Sequence, residues 1–62
     1  MEKQMRRIVE ECYSDLAECG DLCAESLADF VGDRMHDESA EYRALPYAQR
    51  RAITLQVARD YI

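Results

Sequence analysis

Only three residues in this chain, Gly20, Gly32 and Pro46, are of the types that most often end a helix or a strand. No segment alternates polar residues with Val, Ile or Thr, the pattern typical of a half-buried strand. The long segments instead repeat their apolar residues about every 3.6 positions, which is the period of a helix. The sequence therefore predicts an all-α protein in which residues 1–62 form a single small domain.

Three stripes of residues run along the first half of the chain at helical spacing. An apolar stripe, expected to form a core, consists of Met5, Ile8, Cys12, Leu16, Cys19, Cys23, Leu27 and Phe30. An acidic stripe consists of Glu11, Asp15, Glu18, Glu25, Asp29 and Asp33. A third stripe is made mostly of small residues and includes Ala17, Ala24, Ala28, Val31 and Met35.

The three stripes keep their phase across Gly20, which favours one long N-terminal helix from about Glu2 to about His36. The alternative is a break at Gly20, with Asp21 capping a second helix, because Gly is common just after a helix and Asp just before one. A continuous helix gives a helical hairpin. A break gives a small three-helix bundle.

The C-terminal third predicts further helices after a short connector. Ser39 is expected to cap a short helical turn that runs through Ala44. Pro46 fits the first position of a last helix over Tyr47–Tyr61, because the N–H that proline lacks is unpaired there in any residue. The apolar face predicted for this helix consists of Ala48, Ala52, Ile53, Leu55, Val57, Ala58, Tyr61 and Ile62.

The apolar area of a long helix exceeds what one short C-terminal helix can cover. We therefore expect the chain to associate with itself as a homodimer resembling a four-helix bundle. The self-association surface is the apolar stripe.

Charge is strongly segregated along the chain, which has 13 acidic and 8 basic residues and a net charge of -5. Residues 10–41 hold eleven acids and one base, Arg34, whereas both flanking segments are net positive. Like charges four apart, such as Glu11 with Asp15, each destabilise a helix by about 0.2–0.5 kcal/mol. The repulsion is offset either by Arg50, Arg51 and Arg59 folding back beside the acidic stripe, or by a partner with a basic surface.

These features exclude several classes of protein. The acidic balance disfavours direct nucleic-acid binding, and no run approaches the roughly 20 apolar residues that cross a membrane. Glu2, Lys3 and further mixed charge follow Met1, without the apolar h-region of a secretory signal, so a cytoplasmic location is expected. Seven Arg against one Lys is typical of a GC-rich bacterial or phage genome.

The three cysteines are expected to be free thiols packed as small apolar residues, because their spacing places them all on the apolar stripe. An odd number without a signal peptide indicates a reducing compartment. His36 is far along the chain from Cys23 and lies where an imidazolium suits a helix C-terminus. We therefore expect no metal and no cofactor, with a thiolate site at Cys19 and Cys23 as the alternative.

No serine has a histidine at a spacing that would supply a base, and no Gly-rich loop could hold a phosphate. The chain is therefore expected to be no enzyme. We predict a small acidic interaction module, a regulator or inhibitor, that binds another protein through its helices. The acidic stripe, together with Tyr42 and Tyr47 beside the connector, forms the predicted partner-binding surface. The alternatives are a nucleic-acid mimic built on the acidic stripe and a thiolate metal-binding or redox protein.

Overall fold

The computed structural model describes residues 1–62 as four helices without strands: α1 (Glu2–Cys19), α2 (Ala24–Glu38), α3 (Ala40–Arg43) and α4 (Tyr47–Tyr61). The all-α prediction is confirmed. Helix α2 is the centre of the bundle, since it packs against α1, α3 and α4. No helix combines the length and the apolar character needed to cross a membrane.

Gly20 ends α1 and reverses the chain. Its backbone is left-handed, with φ 79°. Its N–H bonds the carbonyl of Ala17 at 3.3 Å, and the N–H of Asp21 bonds that of Leu16 at 3.1 Å. This pair of hydrogen bonds is the Schellman arrangement that glycine favours. The continuous-helix interpretation is therefore wrong and the break at Gly20 is confirmed, although Cys23, not Asp21, caps α2.

The C-terminal elements follow their local signals closely. Ser39 caps α3, and its Oγ accepts a hydrogen bond from the N–H of Tyr42 at 3.1 Å. Helix α4 has the predicted bounds, Tyr47–Tyr61. Pro46 stands one position earlier than expected, at the N-cap, where its carbonyl accepts a hydrogen bond from the N–H of Arg50.

The core joins the apolar stripe of α1 to the small-residue stripe of α2. Its buried members are Met5, Ile8, Val9, Cys12, Leu16, Leu27, Ala28, Val31, Met35, Tyr42 and Ala58. Cys19, Cys23 and Phe30 are exposed. The predicted stripe continues the helical spacing of α1 past Gly20, but α2 begins anew after the break and packs a different face against the core.

Helix α4 buries a narrower face than predicted. Its two fully packed residues are Thr54 and Ala58, of which only Ala58 was expected. Ile53, Leu55, Val57 and Tyr61 pack at the edge of the core. Ala48, Ala52 and Ile62 are exposed, so the broad apolar face predicted for α4 is only partly buried in this chain.

Alanine at the two glycines is predicted to have opposite effects on stability. Gly20→Ala should lower the free energy of unfolding by about 1–2 kcal/mol, because a side chain disfavours the left-handed backbone even though open space surrounds the site. Gly32→Ala should raise it by about 0.5–1 kcal/mol through helix propensity, since the added Cβ would meet Tyr42 Oη at an ordinary 3.5 Å. Urea denaturation measures both. A stabilising Gly20→Ala would indicate a continuous helix.

Candidate protein-interaction cleft

An open cleft of about 470 Å³ lies between α2 and α4. Helix α2 forms one wall with Ala28, Asp29, Gly32, Asp33 and His36. Helix α4 forms the other with Tyr47, Arg50, Arg51 and Thr54. Tyr42 of α3 also lines it. The residues on each helix recur three or four apart, so each set occupies one helix face.

Gly32 lies where α3 and α4 pack against α2. A Cβ at this position would lie 3.5 Å from Tyr42 Oη and 3.9 Å from Thr54 Cγ2. Tyr42 is only 4% exposed, and its burial raises the pKa of the hydroxyl, an effect that the Thr54 side chain partly offsets. The base of the cleft is therefore packed and neutral at physiological pH.

Arg50 is the most unusual side chain of the cleft. Its guanidinium carbon lies over the rings of Tyr42 and Tyr47, 5.9 and 5.8 Å from their centroids. Its Nε is buried and has no hydrogen-bond partner, and a buried unpaired N–H costs about 1–3 kcal/mol. Cation–π attraction to the two rings offsets part of this cost, by about 0.5–1 kcal/mol for each ring at a partly exposed site. The rings thus hold the guanidinium in place without neutralising its charge.

The other charges of the cleft differ in their pairing. Arg51 Nη1 donates to Asp29 Oδ1, which joins α4 to α2. Asp33 takes part in no ion pair, and Arg50 takes part in none either, although both line the same cleft. One cation and one carboxylate therefore face the opening unpaired.

The structure brings together four of the predicted partner-binding residues, Asp29, Asp33, Tyr42 and Tyr47. Tyr47 is 72% exposed, whereas Tyr42 contributes to the cleft from a buried position. The remaining members of the acidic stripe, Glu11, Asp15, Glu18 and Glu25, are exposed outside the cleft. The acidic stripe is thus split between two helices by the turn at Gly20.

A closed ring of ion pairs joins α1 to α2 on the other side of α2. Arg7 bonds Glu11 at 3.3 Å and Glu38 at 3.0 Å. Arg34 bonds the same two carboxylates at 3.0 and 2.9 Å. Pairing 7 with 38 and 11 with 34 requires α1 and α2 to run antiparallel. Of the internal partners expected for the acidic stripe, Arg51 pairs with Asp29 as predicted, whereas Arg50 and Arg59 pair with none of its members. Arg7 and Arg34 pair with Glu11 instead.

The cysteines fall into two environments. Cys12 is buried, and burial raises the pKa of its thiol. Cys23 is exposed at the N-cap of α2, where its thiol donates a hydrogen bond to Ser26 Oγ at 3.2 Å and accepts one from the Ser26 N–H at 3.4 Å. After loss of the proton the Ser26 hydroxyl can donate to the thiolate, and this contact and then the N–H lower the pKa of the thiol. Cys19 is exposed at the end of α1. All three thiols are free, but within this chain only Cys12 is packed as a small apolar residue, as predicted for all three. No group of three or more His, Cys, Asp or Glu side chains lies together as metal ligands would.

The predicted self-association surface is divided by the same turn. Met5, Ile8, Cys12, Leu16 and Leu27 are buried within the chain itself, and Cys19, Cys23 and Phe30 remain exposed. Phe30 lies beside Leu22 along a second depression at the α1–α2 turn. Homodimer formation stays a prediction, and only these exposed residues of the stripe could take part without rearranging the core.

The sequence marked Arg50 only as a charge balancing the acidic stripe and Gly32 only as a residue type that ends helices, although Gly32 lies inside α2. Nothing in the sequence pointed to Thr54. Arg50 follows Tyr47 by three positions, a spacing that places the ring and the guanidinium on one helix face. The contact between these two residues could therefore have been predicted from the sequence. The approach of Tyr42 and Gly32 depends on tertiary packing, which carries no local signal.

The ion-pair ring predicts a pH-dependent contribution to stability. Hydrogen bonds from Arg34 and then Arg7 lower the pKa of the Glu38 carboxyl. Its contribution is therefore present above the usual glutamate pKa of about 4.3 and is lost as the pH falls through the lowered value. Glu38→Gln should reduce the free energy of unfolding at neutral pH, and the difference from the unaltered chain should shrink as the pH falls below the usual glutamate pKa. Glu10→Gln, which removes an exposed acid without an ion pair, is the control in urea titrations and should show neither effect.

Thiol reactivity should follow the two environments. With iodoacetamide near neutral pH, Cys23 should be alkylated well before Cys12, because it is exposed and its thiolate is stabilised. Ser26→Ala should slow alkylation of Cys23 and leave that of Cys19 unchanged, which peptide mapping by mass spectrometry would measure. Equal rates at Cys23 with and without the Ser26 hydroxyl would contradict this assignment.

Comparisons of this chain with known protein families, with characterised proteins and with solved structures find no match. The cleft and the surfaces around it are therefore the basis on which a function can be proposed.

Proposed function

We propose that this chain is a non-enzymatic protein-interaction module, a small regulator or inhibitor, that binds a segment of another protein in the α2–α4 cleft. The observation that carries the proposal is the convergence of Asp29, Asp33, Tyr42 and Tyr47 on one opening. Sequence patterns far apart in the chain had marked these acidic and aromatic residues separately as partner-binding.

The composition of the cleft suits protein recognition. Tyr47 exposes 72% of its surface beside Arg50, and tyrosine and arginine are enriched among the residues that carry most of the binding energy in interfaces. Tyrosine offers a large apolar ring and a polar tip at a small cost in side-chain entropy. The packing of Arg50 against the rings reduces the freedom it would lose on binding.

A nucleic-acid mimic is the alternative for the acidic residues. It is favoured by four members of the acidic stripe that make no ion pair, namely Asp15, Glu18, Glu25 and Asp33. Against it, Glu11 and Asp29 are bound internally and the stripe is divided between α1 and α2. A mimic should bind a nucleic-acid-binding protein with an affinity that falls steeply with salt.

The thiolate alternative depends on Cys19 and Cys23, which are both exposed near the α1–α2 turn. It predicts stoichiometric zinc in protein purified without added metal, or loss of activity when the cysteines become serine. Neither consequence is expected of an interaction module that uses the cleft, because neither cysteine lines it.

The proposal is tested by capturing partners from an extract of the source cells with the unaltered chain, Tyr47→Ala and Phe30→Ala as baits. Both variants remove an exposed ring, but Phe30 lies outside the cleft. The expected result is a partner captured by the unaltered chain and by Phe30→Ala and lost with Tyr47→Ala. With the purified partner, Tyr47→Ala should weaken binding at least tenfold, or about 1.4 kcal/mol.

Other outcomes separate the alternatives. A partner that is lost with Phe30→Ala and retained with Tyr47→Ala would contradict binding in the cleft. A nucleic-acid-binding partner that is released by salt and lost when Asp29 and Asp33 are both changed to Asn would favour the mimic. Because Asp29 bonds Arg51, the folding of this double variant must first be verified by circular dichroism.

A further inference from the structure

We infer that Arg50 is a binding site for a carboxylate group carried by the partner's peptide segment. The inference rests on the proposed function, and it adds the chemistry of the group that the α2–α4 cleft receives. It is unexpected for a chain with a net charge of -5, which by charge alone should select basic partners.

The first argument is that Arg50 is positioned without being neutralised. Its guanidinium lies within 6 Å of two ring centroids, those of Tyr42 and Tyr47, and aromatic faces hold a guanidinium in place through their quadrupoles. No hydrogen bond in the structure uses the Arg50 side chain, and only its Nε is buried without a partner. The two Nη groups therefore keep their capacity to donate to an anion.

The second argument is that the chain's own acids do not satisfy Arg50. None of its five ion pairs includes this residue, although acids outnumber bases by 13 to 8. Asp33 lines the same cleft and stays unpaired. Arg50 and Asp33 line one cleft without forming an ion pair with each other, so a ligand in the cleft can bond both.

The third argument concerns the class of anion. A carboxylate is planar, singly charged and matches the two parallel N–H groups of a guanidinium. A phosphate dianion would bring about twice that charge to a cleft that already holds Asp29 and Asp33, while Arg51 is occupied by Asp29. One free guanidinium therefore favours a single negative charge.

Asp33 gives the ligand a second requirement. As an unpaired carboxylate it accepts hydrogen bonds, so the bound group should carry an N–H donor close to its own carboxylate. The C-terminal residue of a peptide has this combination, since its amide N–H is next to its carboxylate. The side chain of an acidic residue within a peptide offers the same carboxylate chemistry with the N–H farther away.

The test is a nuclear magnetic resonance titration of the ¹⁵N-labelled chain, observed at the Arg50 Nε–H signal. Three forms of one N-acetylated tetrapeptide serve as probes: a free C-terminal carboxylate, a C-terminal amide, and an amide in which one internal residue is Glu. We expect the free acid to shift the Arg50 signal with a Kd on the order of 1 mM. The plain amide should bind at least tenfold more weakly. The Glu peptide distinguishes a side-chain source of the carboxylate from a C-terminal one.

A matched pair of variants separates a specific site from general charge attraction. Arg50→Gln and Arg59→Gln remove the same charge from the same helix, and Arg59 is exposed and outside the cleft. Binding of the free acid should be lost with Arg50→Gln and unchanged with Arg59→Gln. Equal affinity for acid and amide peptides, or equal losses in the two variants, would overturn the inference. The peptide comparison needs no variant, so it decides the matter even if Arg50→Gln fails to fold.

The carboxylate site and the proposed function fail in different ways. If acid and amide peptides bind alike while Tyr47→Ala still abolishes capture of the cellular partner, the interaction module stands and the carboxylate is wrong. If the acid peptide binds at Arg50 while capture is insensitive to Tyr47→Ala, the site exists and the proposed partner-binding role of the cleft is wrong.

Discussion

The left-handed turn at Gly20 is the constraint on which the rest of the structure depends. It reverses the chain after α1, so that α2 runs back along it and the 7–38 and 11–34 ion pairs can form. Because α1 covers one side of α2, the opposite side is left for α3 and α4. The core and the cleft are therefore both consequences of where the first helix stops.

The faces of α2 explain how one acidic helix serves two different neighbours. Arg34 and Glu38 are four positions apart and both bond side chains of α1. Asp29 and Gly32 lie on the face toward α4, where Asp29 bonds Arg51 and Gly32 lies near Thr54. The acidic residues of α2 thus stabilise the bundle on one face and line an opening on another.

Local signals predicted the elements better than their arrangement. Ser39 and Pro46 act within one turn of themselves, and the short helix and the bounds of α4 followed from them. The helical stripes also come from local spacing, but they assume that one helix continues without interruption. A glycine in the left-handed conformation ends the helix, and the spacing of the apolar residues beyond it does not reveal this. Phe30 illustrates the result: it continues the apolar line of α1 in sequence and lies 49% exposed in the structure. The cleft needed tertiary contacts such as that between Gly32 and Tyr42, which no periodicity encodes.

The position of Arg50 lowers the stability of the fold and, in the proposed function, serves recognition of a partner. A guanidinium with a buried, unpartnered Nε lowers the stability of a small domain, which buries only about 60% of the surface its unfolded chain exposes. The same chain pairs Arg7, Arg34 and Arg51 with carboxylates, so it has acidic residues that form ion pairs with arginine elsewhere. Placing Arg50 over two rings instead keeps one charge fixed and unpaired in the wall of the cleft. An external anion that bonds the Nη groups would then stabilise the fold and bind at the same time, because whatever binds only the folded state shifts the folding equilibrium toward it.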